Sequence, residues 1–246
     1  MNQLLNLCID KGNSSTKVAL FKDEELLYDG SYERFSVEEF VGYQRKYSIG
    51  SVIISNVGAP DIIFEDFLKK QNLHFILLDH QTALPVKNEY DTPETLGKDR
   101  LAAVVGATVL KPASNVLVVD AGTAITYDFV DSNGIYHGGN IAAGLQMRLK
   151  ALHQFTKRLP LIKLNESQLL LGKNTHDAML SGALNGIIFE IEGYFEALKI
   201  KYPELSIFLT GGDINYFVSK LKSPIFVEKN LVLIGLNRII QFNVKK

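Results

Sequence analysis

Residues 116–144, VLVVDAGTAITYDFVDSNGIYHGGNIAAG, decide the fold. The spacing predicts a buried strand, a tight Asp-Ala-Gly-Thr turn, a second strand, an Asn133-Gly134 hairpin and a third strand ending in glycines. Asn-Gly is the strongest short hairpin signal, because both turn positions favour positive φ. Four apolar residues before Asp120 place its carboxylate at the end of the strand. Gly122 lets the backbone turn so that amides and the Thr123 hydroxyl can face a ligand. A carboxylate beside amides and a hydroxyl suits a cation-bound phosphate. Taken alone, the stretch is read more simply as an ordinary hairpin whose aspartate caps a turn.

A second copy shifts that balance. Residues 7–16 read LCIDKGNSST: an apolar strand, then Asp10, Gly12 and small hydroxyl residues. Asp10 and Asp120 are 110 positions apart, as are Gly12 and Gly122. Each copy runs strand, D-x-G turn, strand, polar turn, strand. Two such units imply two related halves, each directing a phosphate loop at a shared cleft.

The composition narrows the class of protein. A chain of 246 residues suits one large or two modest domains. Hydrophobic residues at 46% and charged residues at 22% are ordinary for a globular protein. A formal charge of -1 offers no basic excess, so neither nucleic acid nor an anionic membrane is expected as a partner. The single cysteine, Cys8, falls in a predicted buried strand, which suits a reducing, cytoplasmic setting. The apolar start lacks a basic n-region and runs straight into Asp10, so it reads as a strand rather than a signal peptide. No apolar run approaches membrane-spanning length.

Strands are predicted at 4–9, 17–21, 26–30, 51–55 (SVIIS) and 74–78, with helices at 37–47 and 61–71 between them. That alternation implies an α/β architecture with a partly parallel sheet. Residues 80–93 read as irregular. A helix is then expected from Thr92-Pro93 or from near Gly97 to about Leu110, stopped by Pro112. The boundary between halves is placed at 111–115, giving domains 1–112 and 113–246. In the second half, helices are expected at 145–155, 175–200 and 230–242, a loop at 156–174 and a strand at 206–210 before Gly211-Gly212-Asp213. Gly182 and Gly186, one turn apart in the long helix, would admit a close neighbour, either within the chain or in a second subunit.

The chemistry rests on few residues. Neither G-x-x-x-x-G-K-[ST] nor G-x-G-x-x-G is present. The loop Asp10-Lys11-Gly12-Asn13-Ser14-Ser15-Thr16-Lys17 offers another way to hold phosphate: a glycine for close approach, polar donors and two lysines. Asp10 could hold hydrated Mg²⁺, which takes one or two carboxylates plus phosphates. The plainer reading is an exposed polar turn. At Gly97-Lys98-Asp99-Arg100, Asp99 could be a base for a hydroxyl and Arg100 a fork for a substrate carboxylate or amide. The plainer reading there is a helix cap. The five histidines show no metal-ligand spacing, there is no G-x-S-x-G elbow, and Cys8 lies too deep to be a nucleophile.

Together, DKGNSSTK at 10–17, GKDR at 97–100, DAGTAIT at 120–126 and LTGGD at 209–213 resemble the type III pantothenate kinases of the acetate and sugar kinase/Hsp70/actin superfamily. The likeness covers nearly the whole chain. It implies two actin-like (ribonuclease H-like) halves, each a mixed sheet flanked by helices, with ATP between them. It implies ATP-dependent phosphorylation of the primary hydroxyl of pantothenate, the first step of coenzyme A synthesis. Residues 10–17 would bind ATP phosphates with help from Thr123, and Mg²⁺ would accompany ATP. Asp120 would hold an activating monovalent cation, K⁺ or NH₄⁺. Asp99 would accept the proton, while Tyr90, Gly97, Lys98, Asp99 and Arg100 would line the pantothenate pocket. Thr175 matches a substrate contact made across a homodimer. Gly211-Gly212 resembles the adenosine-side glycine turn. The family usually carries proline where Ala143 stands in GGNIAAG, which loosens that turn. Two other readings accompany this one: a nucleotide-binding regulatory protein of the same fold without turnover, and a kinase for another small hydroxylated acid.

Overall fold

The computed structural model describes residues 4–164 and 169–244. The expected loop at 156–174 therefore falls partly outside the described residues. The chain divides into two compact units: Met1–Pro112 with Gly134–Tyr136 and Asn230–Lys246, and Ala113–Asn133 with His137–Lys229. A single cut at residue 112 does not describe this division, because the last helix groups with the first unit.

The first unit contains β1 (Leu5–Lys11), β2 (Thr16–Lys22), β3 (Glu25–Tyr32), α1 (Val37–Lys46), β4 (Ile49–Asn56), α2 (Ile62–Lys69) and β5 (His74–Leu77). Its sheet runs β3-β2-β1-β4-β5. The first three strands form an antiparallel meander, and β4 and β5 add in parallel. Alternation along the strands sends Leu5, Leu7, Ile9, Val18, Leu20, Val52 and Ile54 to one face, where they pack with Phe40, Phe64 and Leu68 of the two helices. Helix α1 begins with a capping box: Ser36 accepts from its first-turn amides, and the Glu39 carboxylate takes the Ser36 amide at 2.8 Å.

After β6 (Lys87–Asn88) comes α3 (Lys98–Leu110). Of the two expected starts, the one near Gly97 is realised. Residues 92–95 instead close a turn, Thr95 N donating to Thr92 O at 3.0 Å. The final helix, α6 (Leu231–Val244), packs on β1, β2 and β4 and along α3. Two glycines permit the α3–α6 crossing: a Cβ at Gly235 would stand 1.8 Å from Ala102 O, and one at Gly106 would stand 2.2 Å from Leu231 O. Any larger residue drives the two backbones apart.

The second unit contains β7 (Asn115–Ala121), β8 (Ala124–Val130), most of β9 (Ile135–Ala143), α4 (Leu145–Gln154), α5 (Thr175–Lys199), β10 (Leu205–Thr210) and β11 (Ile225–Val227). Its strands run β9-β8-β7-β10-β11. This repeats the order of the first sheet strand for strand, including the antiparallel β7-β8 pair and the parallel β7-β10 and β10-β11 pairs. Residues 135 and 136, which open β9 and group with the first unit, pair in parallel with β6. One sheet face, carrying Leu117, Val119, Ala121, Tyr127, Ile207 and Leu209, packs against Leu145, Leu149, Leu180, Leu184, Ile187 and Ile191 of α4 and α5. Asn174 caps α5, accepting from Asp177 N at 2.9 Å.

The Asn133-Gly134 turn departs from the expectation that both residues take positive φ. Only Gly134 does, at 74°. Asn133 is held otherwise, its amide donating to Asp131 Oδ1 at 2.9 Å. An aspartate two residues earlier thus replaces the left-handed turn residue.

Candidate active site

In the first unit, Asp10 sits near the end of β1 and is 9% exposed. It is one residue out of step with Leu7 and Ile9, so its side chain leaves the face that α1 and α2 cover. Register places Lys17 of β2 on one side of it and Ser55 of β4 on the other. Gly12 N donates to Ser15 O at 3.1 Å and closes the loop. Gly12, Asn13 and Ser14 are exposed, Ser15 and Lys17 half-buried, and Thr16 buried. The loop thus presents backbone and small hydroxyl groups to solvent from a rigid strand end.

Lys11 has a different setting from the rest of the loop. Its ammonium donates to Asp61 Oδ2 at 2.8 Å and lies 4.6 Å from the centre of the Phe64 ring. Asp61 also caps α2, accepting from Phe64 N at 3.3 Å. Burial raises the Asp61 carboxyl, but the Lys11 hydrogen bond and charge outweigh it and hold the group below its usual range. Lys11 therefore ties the 10–17 loop to the start of α2. Sequence reading missed this pair because 50 positions separate its members.

At the start of α3, Gly97 occupies the N-cap position and supplies no side-chain cap. Asp99 Oδ1 accepts from Arg100 N at 2.8 Å, so the carboxylate turns back onto the helix's own first amides. That bond stabilises negative charge at this position. A Cβ at Gly97 would stand 2.6 Å from Asp99 Oδ1, so glycine leaves the room this carboxylate uses. Lys98 Nζ donates to Leu96 O at 2.9 Å. Arg100 is 5% exposed, and its guanidinium stands 5.8 Å from the centre of the Tyr90 ring. Tyr90 in turn stacks on Tyr136, with ring centres 6.2 Å apart and planes 16° apart. The first unit thus places Tyr90 beside Arg100 at the start of α3.

In the second unit, Asp120 occupies the place on β7 that Asp10 occupies on β1. Thr126 of β8 and Thr210 of β10 flank it in register. Gly122 N donates to Ala124 O at 3.1 Å, the counterpart of the Gly12 bond. Thr123 is exposed. Gly211 comes in beside the carboxylate with φ at 102°, and a Cβ there would meet Asp120 Oδ1 at 2.5 Å. Asp213 N donates to Ala121 O at 2.9 Å, anchoring the glycine turn to the acidic turn. Burial pushes the Asp213 carboxyl up.

A further clamp holds this turn. Gly144 N donates to Thr123 O at 3.1 Å, and a Cβ at Gly144 would lie 2.3 Å from both Gly122 O and Thr123 O. Next to it, Arg148 Nε donates to Ala143 O at 2.8 Å, while Arg148 Nη2 donates to Glu190 Oε2 at 2.6 Å. Tyr127 Oη donates to the same Glu190 oxygen at 3.1 Å. A guanidinium thus braces the segment that Ala143 leaves without a proline. Arg148 was visible in the sequence as a helix residue, but nothing in its spacing marked that role. Thr175 is exposed at the first position of α5.

The donor set fits the metal expected with a nucleotide. Among the described residues, no group of three or more His, Cys, Asp or Glu could hold a metal ion by itself. Mg²⁺ that arrives on a triphosphate needs only one or two carboxylates beside phosphate oxygens. A largely buried aspartate at a strand end, beside an exposed glycine loop, matches that requirement. Among the described residues, no helix is long and apolar enough to cross a membrane.

A family model described as type III pantothenate kinase matches residues 6–197. A type III pantothenate kinase from Bacteroides fragilis (strain YCH46) is 50% identical over 242 residues, covering 97% of this chain and 98% of that protein. Among solved structures, a candidate N-acetylmannosamine kinase from Listeria monocytogenes matches at TM-score 0.60 and 13% identity, covering 98% of this chain and 100% of that one. The activator of the 2-hydroxyisocaproyl-CoA dehydratase from Clostridium difficile, with bound ADPNP, matches at TM-score 0.56 and 10% identity, covering 99% and 98%. These two likenesses concern the fold, which is that of the actin-like ATPases and sugar kinases.

Proposed function

The chain belongs to the type III pantothenate kinase family and phosphorylates pantothenate, a step of coenzyme A biosynthesis; from that premise we propose which of its residues do the work. Asp10, Lys11, Gly12, Asn13, Ser14, Ser15, Thr16 and Lys17 form the loop that receives the ATP phosphates. Asp10 is the protein ligand of the Mg²⁺ carried by ATP. Lys11 acts chiefly by fixing the loop to α2 through Asp61. Thr123 adds a hydroxyl to the phosphates. Asp120 holds a monovalent cation, K⁺ or NH₄⁺. Its carboxylate and the neighbouring carbonyl oxygens are hard donors of the kind such ions take.

Phosphoryl transfer is mostly a problem of positioning and charge neutralisation. Mg²⁺ supplies neutralisation of the transferring group when bound. The chain supplies a fixed loop, a positioned base and a substrate surface. Asp99 accepts the proton of the attacking hydroxyl, and its hydrogen bond to Arg100 N keeps the carboxylate oriented between turnovers. Tyr90, Gly97, Lys98 and Arg100 hold pantothenate, Arg100 meeting its carboxylate or amide. Thr175 adds a contact from a second subunit. A pure nucleotide switch has no need of Asp99-Arg100, which favours the kinase over a regulatory protein.

Self-association fits one face of α5. A Cβ at Gly182 or Gly193 would meet nothing within 4 Å, and Phe189, between them on the same helix face, is 61% exposed. Leu170 and Leu171 are 69% and 79% exposed. A second copy of the chain, in a homodimer, would cover this apolar surface.

The observation that carries the reading is the repeat: each unit ends its central strand in an aspartate followed by a glycine turn, at the same place in the same strand order. The test is ATP-dependent phosphorylation by the purified protein against a panel of hydroxy acids including pantothenate, with and without K⁺. Pantothenate should be the preferred acceptor and K⁺ should raise turnover. Preference for another acid would overturn the substrate assignment, and indifference to K⁺ would remove the role of Asp120.

A further inference from the structure

The first unit carries a cavity of about 230 Å³ that none of this chemistry uses. It lies between one face of α1 and one face of β3. On α1, Glu39, Gly42, Tyr43 and Lys46 share a face by helical spacing. On β3, Tyr28 and Tyr32 share a face by alternation, and Tyr47 closes the end beyond α1.

The tyrosines form an organised group. Tyr28 and Tyr43 meet edge to face, with ring centres 5.6 Å apart and planes at 68°. Tyr43 and Tyr47 are 6.0 Å apart at 37°. The Tyr32 and Tyr43 hydroxyls share a hydrogen bond of 2.6 Å, and the Tyr28 and Tyr32 hydroxyls stand 3.4 Å apart. The hydroxyls therefore satisfy one another, and the rings are fixed at several angles to each other.

Two glycines keep space here. A Cβ at Gly30 would stand 2.5 Å from Tyr28 Oη, so glycine on β3 lets that ring lie across the strand. Gly42 is different. It sits inside α1 with helical φ, and a Cβ there would meet nothing within 4 Å. Glycine inside a helix is destabilising relative to alanine. Neither backbone conformation nor packing requires it at 42, where it leaves that stretch of the cavity wall without a side chain.

The lining carries one charge of each sign. Glu39 lines the cavity from the first turn of α1 and Lys46 from the last, and the Glu39 carboxylate keeps its negative charge there while Oε2 accepts from the Ser36 amide. Aromatic faces attract organic cations, methylated ammonium groups above all. A lone cation would be repelled by Lys46 and a lone anion by Glu39. We propose that this cavity binds a small zwitterion bearing a methylated ammonium and a carboxylate, the tyrosine rings and Glu39 taking the ammonium and Lys46 the carboxylate. The volume supports a compact ligand, since the pockets that take drug-sized molecules measure roughly 300–1,000 Å³.

The test is titration of the full chain with glycine betaine, followed by calorimetry and by tyrosine fluorescence, which is readable because the chain has no tryptophan. Choline, acetate and adenosine serve as comparators lacking, in turn, the carboxylate, the ammonium and both. Glycine betaine should saturate one site per chain, at least ten-fold more tightly than any comparator. Gly42→Leu should weaken binding ten-fold or more without lowering the melting temperature. Lys46→Glu, an exposed change that does not depend on repacking, should weaken glycine betaine and strengthen choline. No saturable binding of glycine betaine, equal or tighter binding of adenosine, or unaltered binding in both variants would overturn the proposal.

Discussion

Replacing Gly144 by alanine tests whether the acidic turn of the second unit takes part in turnover. The added methyl would lie 2.3 Å from both Gly122 O and Thr123 O. Both obstacles are backbone, so no side chain can rotate away. Restoring ordinary contact moves the turn, or the β9–α4 junction, by about 1 Å, and close-packed interiors have no slack of that size. The Gly144 N–H bond to Thr123 O, 3.1 Å long, would stretch with it. Displacement on this scale at groups that position a reacting phosphate costs about 10²-fold in rate. The expected outcome is a fall of that order in kcat/KM for ATP, measured by steady-state phosphorylation of pantothenate. Stability should fall by about 1–3 kcal/mol, the usual cost of overpacking, read separately by denaturant unfolding. A folded Gly144→Ala enzyme with parental kcat/KM would refute the assignment of Thr123 to the phosphates.

Asp99→Asn keeps the shape of the side chain and removes its basicity, so kcat should fall by roughly 10²-fold or more while the ATP KM holds; unchanged turnover would end its role as proton acceptor. Asp120→Ala should abolish stimulation by K⁺ in an assay of rate against K⁺ concentration, leaving a residual K⁺-independent rate. Gly235→Ala places a methyl 1.8 Å from Ala102 O and should lower the unfolding midpoint more than any exposed Gly→Ala change, such as Gly182→Ala on α5. The Lys11–Asp61 pair fixes a pH dependence: the Asp61 carboxyl is depressed in the folded chain, so its stabilisation is present above about pH 4, the unfolded value, and is lost as pH falls through the folded value. Asp61→Asn should therefore lower the melting temperature at pH 7, with the gap from the parent closing on acidification below that value.

What could be read in advance follows the range of the interactions involved. The two D-x-G turns were legible because apolar strands, glycines and carboxylates sit within ten residues of one another. The Tyr90 and Gly97–Arg100 surface was legible as motif residues, although the stacking of Tyr90 on Tyr136 was not. The amphipathic pattern at the end of the chain showed that a helix would bury one face, but such a pattern carries no address. It could not say that α6 would pack on β1, β2 and β4 rather than on the sheet nearer in sequence. Gly144 looked like one more glycine after a strand, since its importance lies in two carbonyl oxygens more than twenty positions away. Positive φ at Asn133 was expected from the dipeptide alone. The Asp131 side chain supplied a different way to hold the turn.

The return of α6 has a consequence for synthesis. Asn237 Oδ1 accepts from the Asn6 amide at 2.9 Å, and Asn237 Nδ2 donates to Asp23 O at 2.7 Å, so the β1–β2 hairpin is secured by a residue 231 and 214 positions further along the chain. On the ribosome, the sheet of residues 5–77 therefore emerges with the surface meant for α6 still bare. That surface is covered only after Leu231–Val244 has been translated. A premature stop just short of α6 would release every element of the second unit alongside a first unit missing its closing helix, a species suited to capture by chaperones or proteases.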